Sequence, residues 1–492
     1  MAPSSTFLCF ILSVHLLLCS SRLKLSFAFE GTTETESTQS HQQKHQHTIR
    51  LSSLLPSSVC NPSTKADVKK SSLKVVHKRG PCFQPDNING DDDKTNSPSH
   101  TEILLQDQSR VDSIHSKLSD TNAGKGNVKE TDAATLPAKD GSVVGTGNFI
   151  VTVGLGSPKK QLSLIFDTGS DLTWTQCEPC VKYCYNQKEK KFDPAVSTTY
   201  ANISCSSTLC NSLTSGTGNS PSCSSSTCVY GVQYGDSSYS IGFFGKETLT
   251  LTPTDVFPNF LFGCGQNNRG LFGGAAGLLG LGRDQISVVS QTAQKYNKIF
   301  SYCLPSSASS TGHLTFGNGA GVSKAVKFTP LSTVSQGSSF YGLDLTGISV
   351  AGRKLSIAAS VFSTAGTIID SGTVITRLPP DAYAALRTAF RQLMSKYPTA
   401  PALSILDTCY DFSKYQTVTV PKISLFFGGG IEVSIDKTGI LYASSLSQVC
   451  LAFAANSDRS DVAIFGNTQQ HTLEVVYDVA GGKVGFASGG CS

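Results

Sequence analysis

An all-β fold is what the sequence predicts, and three features indicate it. Short apolar runs such as residues 249–251 and 260–262 alternate with frequent glycines, as in strands joined by turns. Helical patterns are few, and the best one covers residues 381–394, with Asp381 expected at the N-cap after two prolines. Two apolar runs, residues 164–166 and 367–369, each lead into an aspartate followed by a turn. The two related turns indicate where the chemistry of the protein lies.

Each of these turns delivers one carboxylate behind a buried strand. The first reads Asp-Thr-Gly-Ser from Asp167 and the second reads Asp-Ser-Gly-Thr from Asp370. One copy alone would be read equally well as an ordinary turn. A lone ionised carboxylate in a buried position is costly unless it is hydrogen-bonded or shares a proton with a neighbour. Two carboxylates that face each other titrate apart, and such a pair can activate a water molecule against a peptide carbonyl.

Further motifs follow in a characteristic order. Tyr234 stands in Gln-Tyr-Gly-Asp-Ser, within an alternating pattern that predicts a hairpin, and Trp174, the only tryptophan, comes seven residues after Asp167. Residues 276–282 and 463–467 are apolar segments that contain glycine. With the two aspartate motifs, these stretches resemble the pepsin-type aspartic proteases, and among them the plant nepenthesin-like branch. The resemblance implies a bilobal all-β fold with the active-site cleft between two lobes.

The resemblance covers roughly residue 148 to the C-terminus and implies roles for single residues. Asp167 and Asp370 would be the catalytic pair. The hydroxyl residue three positions after each aspartate would orient its carboxylate, and the hydroxyl residue directly after each would tie the two loops together. A tyrosine on a flap over the substrate would accept a hydrogen bond from the tryptophan. The residues assigned to this support and to the flap are Thr168, Gly169, Ser170, Ser371, Gly372, Thr373, Tyr234, Gly235, Asp236 and Trp174.

The first 135 residues are predicted to be removed from the mature protein. Residues 7–19 form an apolar run too short to span a bilayer, so residues 1–28 are interpreted as a secretory signal. The polar residues 29–135 are interpreted as a propeptide, with a strand over 72–79 and a helix over 103–118. Residues 136–330 would form the N-terminal lobe, with a Cys-rich insertion and the flap, and residues 331–492 the C-terminal lobe.

The propeptide is expected to keep the enzyme inactive as a zymogen. In zymogens of the family that the chain resembles, basic side chains of a propeptide strand cover the aspartates. By that analogy Lys74, Lys78 or Arg79 is expected to cover them here. Three histidines at positions 41, 45 and 47 would allow metal binding, but histidines in a flexible polar stretch are more often solvated. No metal and no cofactor are therefore expected.

The cysteines indicate an oxidising compartment. The chain has 16 cysteines, of which 12 lie in the predicted mature portion. Seven of them cluster before the flap, where Cys-x-x-Cys would allow zinc binding, but disulfides are the favoured interpretation. Spacing leaves the connectivity open. The resemblance implies Cys177–Cys180, Cys184–Cys264, Cys205–Cys228, Cys210–Cys223, Cys303–Cys491 and Cys409–Cys450. Asn202 begins the one glycosylation sequon found, which fits a surface position in a secreted protein.

The predicted function is that of an aspartic endopeptidase that cleaves polypeptides at acid pH and is inhibited by pepstatin-like compounds. It is expected to be a monomer without a membrane anchor, located in the extracellular space (apoplast) or the secretory pathway, with the plastid as the alternative. A nucleoid-associated DNA-binding protein is the rival interpretation. The net charge of +5 is modest. The basic residues that would bind DNA belong to the predicted propeptide, which maturation would remove; they are Lys65, Lys69, Lys70, Lys74, Lys78 and Arg79. A non-catalytic inhibitor is less favoured, since both aspartate motifs are intact.

Overall fold

Short strands dominate the fold, and they pair both with the next strand along the chain and with strands far away in the sequence. The computed structural model describes residues 45–55, 57–63, 71–83, 99–120, 149–234, 238–270, 272–319, 325–332 and 339–491. The described residues all belong to the compact unit His45–Ser492. The predicted signal segment 1–28 and the propeptide boundary at 135 lie outside the described residues, as do the flap residues Gly235 and Asp236.

Thirty strands are described, numbered in chain order. The first fifteen are β1 (Gln46–Arg50), β2 (Ser72–His77), β3 (Phe149–Leu155), β4 (Lys160–Asp167), β5 (Trp174–Gln176), β6 (Ala201–Asn202), β7 (Ser222–Ser224), β8 (Thr227–Gln233), β9 (Tyr239–Thr252), β10 (Asp255–Arg269), β11 (Gly277–Gly280), β12 (Ile299–Cys303), β13 (Thr311–Phe316), β14 (Lys327–Pro330) and β15 (Tyr341–Leu343). The others are β16 (Leu345–Val350), β17 (Arg353–Lys354), β18 (Thr367–Ile369), β19 (Thr376–Leu378), β20 (Thr399–Ala400), β21 (Cys409–Tyr410), β22 (Thr417–Pro421), β23 (Ile423–Phe427), β24 (Ile431–Ser434), β25 (Leu441–Ser445), β26 (Gln448–Leu451), β27 (Phe453–Ala455), β28 (Ala463–Phe465), β29 (Glu474–Asp478) and β30 (Lys483–Ala487).

The α-helices of the described part are few, as predicted. They are α1 (His100–Asp120), α2 (Thr208–Thr217), α3 (Val288–Gln291), α4 (Ala293–Tyr296), α5 (Ala359–Ser363) and α6 (Pro380–Leu393). The expected N-cap role of Asp381 is wrong. The helix begins at Pro380, because proline suits the first helical position, so Pro379 occupies the N-cap position and Asp381 lies inside the first turn. None of the helices in these ranges is long and apolar enough to cross a membrane.

Two similar arrangements carry the two aspartates. Strand β4 ends at Asp167 and pairs in parallel with β11, so that Gly280 stands opposite Asp167. Strand β18 ends just before Asp370 and pairs in parallel with β28, with Ile369 opposite Phe465. The two apolar segments singled out in the sequence therefore lie beside the aspartate strands. Parallel pairing buries both faces of these short strands, which accounts for their continuous apolar character.

The largest sheet has fifteen strands, in the order β14-β30-β29-β12-β13-β2-β3-β4-β11-β5-β10-β9-β8-β7 with β6 beside β9. Strand β2 of the predicted propeptide lies in the middle of this order, antiparallel to both β13 and β3. Leu73 and Val75 of β2 belong to the main apolar core. The strand predicted over 72–79 is confirmed, and it is integrated into the sheet of the body. Smaller sheets, β15-β18-β28-β19-β27 and β17-β16-β23-β24 among them, complete the C-terminal half.

Candidate active site

The two aspartate turns have matching local hydrogen bonds. At the first turn the N–H of Gly169 donates to Asp167 Oδ1 at 3.0 Å, and the Ser170 hydroxyl donates to Oδ2 at 2.8 Å. At the second turn Gly372 and Thr373 make the same bonds to Asp370, at 3.0 and 2.6 Å. The turns fold this way because the donors stand two and three residues after each aspartate. Each carboxylate is thereby fixed in orientation.

The residues after the aspartates join the two turns. The N–H of Ser371 donates to the Thr168 hydroxyl at 2.9 Å, and the N–H of Thr168 donates to the Ser371 hydroxyl at 3.1 Å. Both side chains are fully buried. This reciprocal pair has the geometry that the sequence analysis expected, and it holds the two strands that end in the aspartates at a fixed distance from each other.

The carboxylates of Asp167 and Asp370 lie against the opposite turn. A methyl group on Gly372 would lie 2.6 Å from Asp167 Oδ1, and one on Gly169 would lie 2.8 Å from Asp370 Oδ1. Both distances are shorter than any van der Waals contact, so only glycine fits at either position. The two glycines therefore allow two buried carboxylates to converge.

Arg110 of α1 occupies the space between the two carboxylates. Its Nη2 lies 2.8 Å from Asp167 Oδ1 and 2.9 Å from Asp370 Oδ2, and its Nε lies 3.0 Å from the same Asp370 oxygen. The Arg110 residue is 8% exposed and the two aspartates 1% and 0%. A guanidinium can meet both carboxylates because its donors form a planar fork. A side chain from the segment predicted to be the propeptide thus fills the space between the two carboxylates.

The expectation that Lys74, Lys78 or Arg79 covers the aspartates is wrong. Strand β2 pairs with β13 and β3, and the cation that contacts both aspartates is Arg110 of α1. Lys74 is exposed, Lys78 is buried with its stem near Gly273, and Arg79 is half-buried. The sequence did contain a signal for Arg110. Helix α1 buries Leu104, Asp107, Arg110 and Val111 on one face, and charged residues on a buried face need partners.

The surroundings shift the pKa values of the two carboxyl groups in opposite directions. Burial raises the pKa of Asp167, but the charge of Arg110 and the donors at Gly169 and Ser170 lower it further, to below its ordinary value. For Asp370, burial raises the pKa, Arg110 lowers it and the charge of Asp167 raises it, and the result lies above the ordinary value. Asp370 therefore takes up a proton first as the pH falls.

A second ion pair anchors α1 one turn before Arg110. Asp107 Oδ2 lies 3.0 Å from Arg377 Nη2, and both side chains are completely buried. The N–H groups of Val374 and Ile375 donate to the same carboxylate at 2.6 and 3.1 Å. On the other side of Arg110, apolar residues of α1 pack on Phe340, Ile368, Val462 and Ile464; they are Val111, Ile114 and Leu118. The helix thus contacts the body through charge, backbone and apolar groups.

Tyr234 and Trp174 meet as the sequence analysis expected. Strands β8 and β9 form the predicted hairpin, with Gln233 opposite Tyr239. The Trp174 Nε1–H donates to the Tyr234 hydroxyl at 2.8 Å, and Phe272 packs edge-on against both rings. Trp174 is completely buried, so its N–H requires such a partner. The hairpin strand that carries Tyr234 is thereby tied to the strand that follows the first aspartate turn.

Disulfides account for the clustered cysteines, but four of the six expected pairings are wrong. Cys303–Cys491 and Cys409–Cys450 are present as expected. Instead of the other four, the structure has Cys177–Cys264, Cys180–Cys184, Cys205–Cys223 and Cys210–Cys228. The first arises because β5 runs beside β10, with Thr175 opposite Cys264. A further disulfide, Cys60–Cys82, lies in the propeptide region and was not foreseen.

The pairing of four of these cysteines depends on side-chain direction. Cys223 and Cys228 stand opposite each other on β7 and β8. Either one is near enough in sequence to reach Cys205 or Cys210, so spacing cannot distinguish the two arrangements. Cys210 lies on α2, which packs on β8, and its Cα is 5.8 Å from that of Cys228. Tertiary packing therefore selects the pairing.

The remaining expectations concern the surface and metals. Asn202 is exposed, and its side chain accepts a hydrogen bond from the Tyr200 hydroxyl at 2.6 Å. Glycosylation there stays a prediction. In the ranges that the structure describes, no group of three or more His, Cys, Asp or Glu side chains is arranged to hold a metal ion. His41 lies outside these ranges.

Two family models match the chain. One is described as xylanase inhibitor N-terminal and matches residues 149–318, and the other as xylanase inhibitor C-terminal and matches residues 340–488. Together they span both aspartate motifs. The solved structures of basic 7S globulin from soybean (TM-score 0.55, 22% identity, 70% of this chain and 91% of that chain) and of conglutin gamma from lupine seeds (0.56, 21%, 70% and 92%) share this fold.

Curated relatives match over longer stretches. An aspartyl protease family protein of Arabidopsis thaliana is 62% identical over 448 residues, which are 91% of this chain and 93% of the relative. Aspartyl protease AED1 of the same plant is 52% identical, with 98% of both chains covered. Aspartic proteinase nepenthesin-2 of Nepenthes gracilis is 38% identical over 70% of this chain and 78% of its own.

Proposed function

Because the chain belongs to the aspartyl protease family of plants, in its nepenthesin-like branch, and is an aspartic-type endopeptidase, we propose that Asp167 and Asp370 are its catalytic pair. The observation that carries the proposal is the convergence of these two buried carboxylates, each with the same set of local donors. Its substrates are polypeptides. The bilobal pepsin-like fold places the two aspartates on separate halves of the chain.

The proposed reaction needs the pair in its singly protonated form. With α1 released, a water molecule takes the position between the carboxylates that Arg110 now fills. The ionised carboxylate accepts a proton from this water as it attacks the peptide carbonyl, and the protonated carboxyl donates to the carbonyl oxygen. The hydroxyls of Ser170 and Thr373 keep both groups oriented. No covalent intermediate with the enzyme is formed.

The structure corresponds, in this proposal, to the zymogen. Arg110 excludes water and substrate from between Asp167 and Asp370 while α1 is docked. As the pH falls, Asp370 becomes neutral first, so Arg110 loses one of its two ionised partners while Asp167 still carries its charge. Acid thus weakens the contact that blocks the site and also produces the singly protonated pair, which ties activation and activity to the same pH range.

The rival functions receive no comparable support. Of the basic residues considered for DNA binding, Lys65, Lys69 and Lys70 lie outside the described residues. Among the other three, Lys78 is buried and Arg79 half-buried, so these two form no exposed basic patch with Lys74. The matched models are described as inhibitor domains, but both aspartate motifs of this chain are complete.

Secretion fits the disulfides, which persist in oxidising compartments. We propose that the protein is located outside the cell or in the secretory pathway, and measurement of the tagged protein in plant tissue fractions would test this location. We also propose that it is a monomer.

The direct test is proteolysis of denatured globin by the processed protein from acid to neutral pH, with and without pepstatin. Activity should peak at acid pH and be abolished both by pepstatin and by Asp370→Asn. The Arg387→Gln variant, which changes a partly exposed arginine on α6 that pairs with Asp407, is the matched control and should keep full activity. Persistent cleavage by a pure Asp370→Asn sample, or no cleavage by a folded and processed wild type, would refute the proposed pair.

A further inference from the structure

Arg377 and two neighbouring N–H groups bind a carboxylate that does not belong to the mature enzyme. The carboxylate is that of Asp107 on α1, 3.0 Å from Arg377 Nη2 and within 2.6 and 3.1 Å of the nitrogens of Val374 and Ile375. All three donors stand on the segment that follows the second aspartate turn. The arrangement is a carboxylate site built by the body and filled by the propeptide.

The inference rests on the proposed function, in which α1 is released from the site. Release of α1 would leave the donors around Arg377 without the Asp107 carboxylate. Buried N–H groups and a buried guanidinium that lose their acceptor destabilise the protein unless another acceptor replaces it. The two acidic groups that favour the charged form of Arg377 are Asp107 and Asp112, and both lie on α1. Both leave with the helix, so the mature site keeps its positive charge without these carboxylates.

The site lies close to the catalytic pair, because Val374 and Ile375 directly follow Thr373 of the second aspartate turn and Asp107 stands on the same helix as Arg110. Asp107 precedes Arg110 by three residues, which is a rise of about 4.5 Å along a helix. An extended chain covers that distance in one to two residues, at about 3.3 Å each. A substrate that lies in an extended form across Asp167 and Asp370 therefore brings a side chain to Arg377 from one of the two residues nearest the scissile bond on that side.

We propose that Arg377, with the N–H groups of Val374 and Ile375, forms a specificity subsite for an acidic side chain of the polypeptide substrate, with aspartate fitting best. Aspartate reproduces the group that fills the site in the structure, whereas glutamate is one methylene longer. Two N–H donors and a guanidinium match both oxygens of a carboxylate, and charge-assisted bonds of this kind are stronger than neutral ones. Asparagine has the same shape without the charge, and lysine has the opposite charge.

The test uses quenched fluorescent peptides that carry Asp, Asn, Glu or Lys, in turn, at each of the two residues on either side of one cleaved bond. For the processed wild type above the ordinary pKa of aspartate, Asp at one position should raise kcat/KM about tenfold over Asn and more over Lys. The Arg377→Gln variant should bring the Asp to Asn ratio to about one, and Arg377→Lys should retain part of the preference. Arg387→Gln should match the wild type.

The outcomes separate this inference from the proposed function. Equal cleavage of Asp and Asn peptides at all four positions by an active wild type would overturn the subsite and leave the catalytic pair intact. If Arg377 only anchors the propeptide, its variants would change latency but not this ratio, which also overturns the subsite. If folded, processed protein cleaves none of the peptides, the proposed function fails. Fluorescence anisotropy with the same peptides then decides the subsite, since tighter binding of Asp than Asn supports it and equal binding refutes it.

Discussion

Replacement of Arg110 by glutamine should weaken the latency of the unprocessed protein. The wild-type guanidinium joins two buried carboxylates at 2.8 to 3.0 Å, and removal of one partner from such a buried network costs about 3–5 kcal/mol. Without the cation, Asp167 and Asp370 can share a proton, which offsets part of that cost. We therefore use the lower value of about 3 kcal/mol, which shifts the docking equilibrium of α1 by about 100-fold.

The assay is the initial rate of peptide cleavage by intact, unprocessed protein over a range of pH, with the intact mass checked at each time point. In the wild type, the ionised carboxylates hold Arg110, and with it α1, in place at higher pH. Arg110→Gln lacks this attraction, so the variant should be active at a higher pH than the wild type. Apolar contacts of α1, such as those of Val111 and Ile114 with Phe340, should still let the variant fold. Arg387→Gln is the matched control, and the double variant with Asp370→Asn should be inactive.

The reasoning would be refuted by an Arg110→Gln protein that is folded, unprocessed and as latent as the wild type at every pH. It would also be refuted if Arg387→Gln had the same effect, because loss of any arginine would then suffice. The sign of the pH effect is fixed by Asp167. Its pKa is lowered in the structure, so its contribution to docking is present above its ordinary pKa and is lost as the pH falls through the lowered value.

Three further predictions concern the surroundings of the pair. Trp174→Phe removes the hydrogen bond to Tyr234 and, because Trp174 is completely buried, leaves a small cavity. Peptide kinetics should show kcat/KM reduced about tenfold, and denaturant unfolding should show stability lowered by about 1–3 kcal/mol; an unchanged kcat/KM would contradict a role for this bond. Thr168→Val leaves the buried N–H of Ser371 without its acceptor and should cost about 1–3 kcal/mol in denaturant unfolding, whereas a value near zero would show that the loops hold without it. Burial raises the pKa of Asp171 from 3.8 to about 7. The contribution of Asp171 to the stability of the folded wild type is therefore fully present below pH 3.8 and is lost as the pH rises through 7. The melting temperature of Asp171→Asn should therefore rise relative to the wild type over this range, and a constant difference would refute the shift.

The sequence by itself determined the features that depend on local spacing. Gly169 and Ser170 stand two and three residues after Asp167, so their donors reach its carboxylate through the turn that the same residues form. The second turn repeats this around Asp370. The hairpin of β8 and β9 and the helix α1 were likewise predictable, because alternation and helical spacing are read within one segment.

Only the tertiary structure decided which distant groups meet. Arg110 is 57 residues from Asp167 and 260 from Asp370, and nothing in its own segment specifies either partner. The blocking cation was expected on or just after β2, but that strand pairs with β13 and β3 in the largest sheet, and the cation that meets the aspartates comes from α1. The disulfide partners of Cys205 and Cys210 were likewise decided by tertiary packing and not by their own segment. Local hydrogen bonds are encoded by neighbours along the chain, whereas ion pairs and disulfides across segments depend on how whole elements pack.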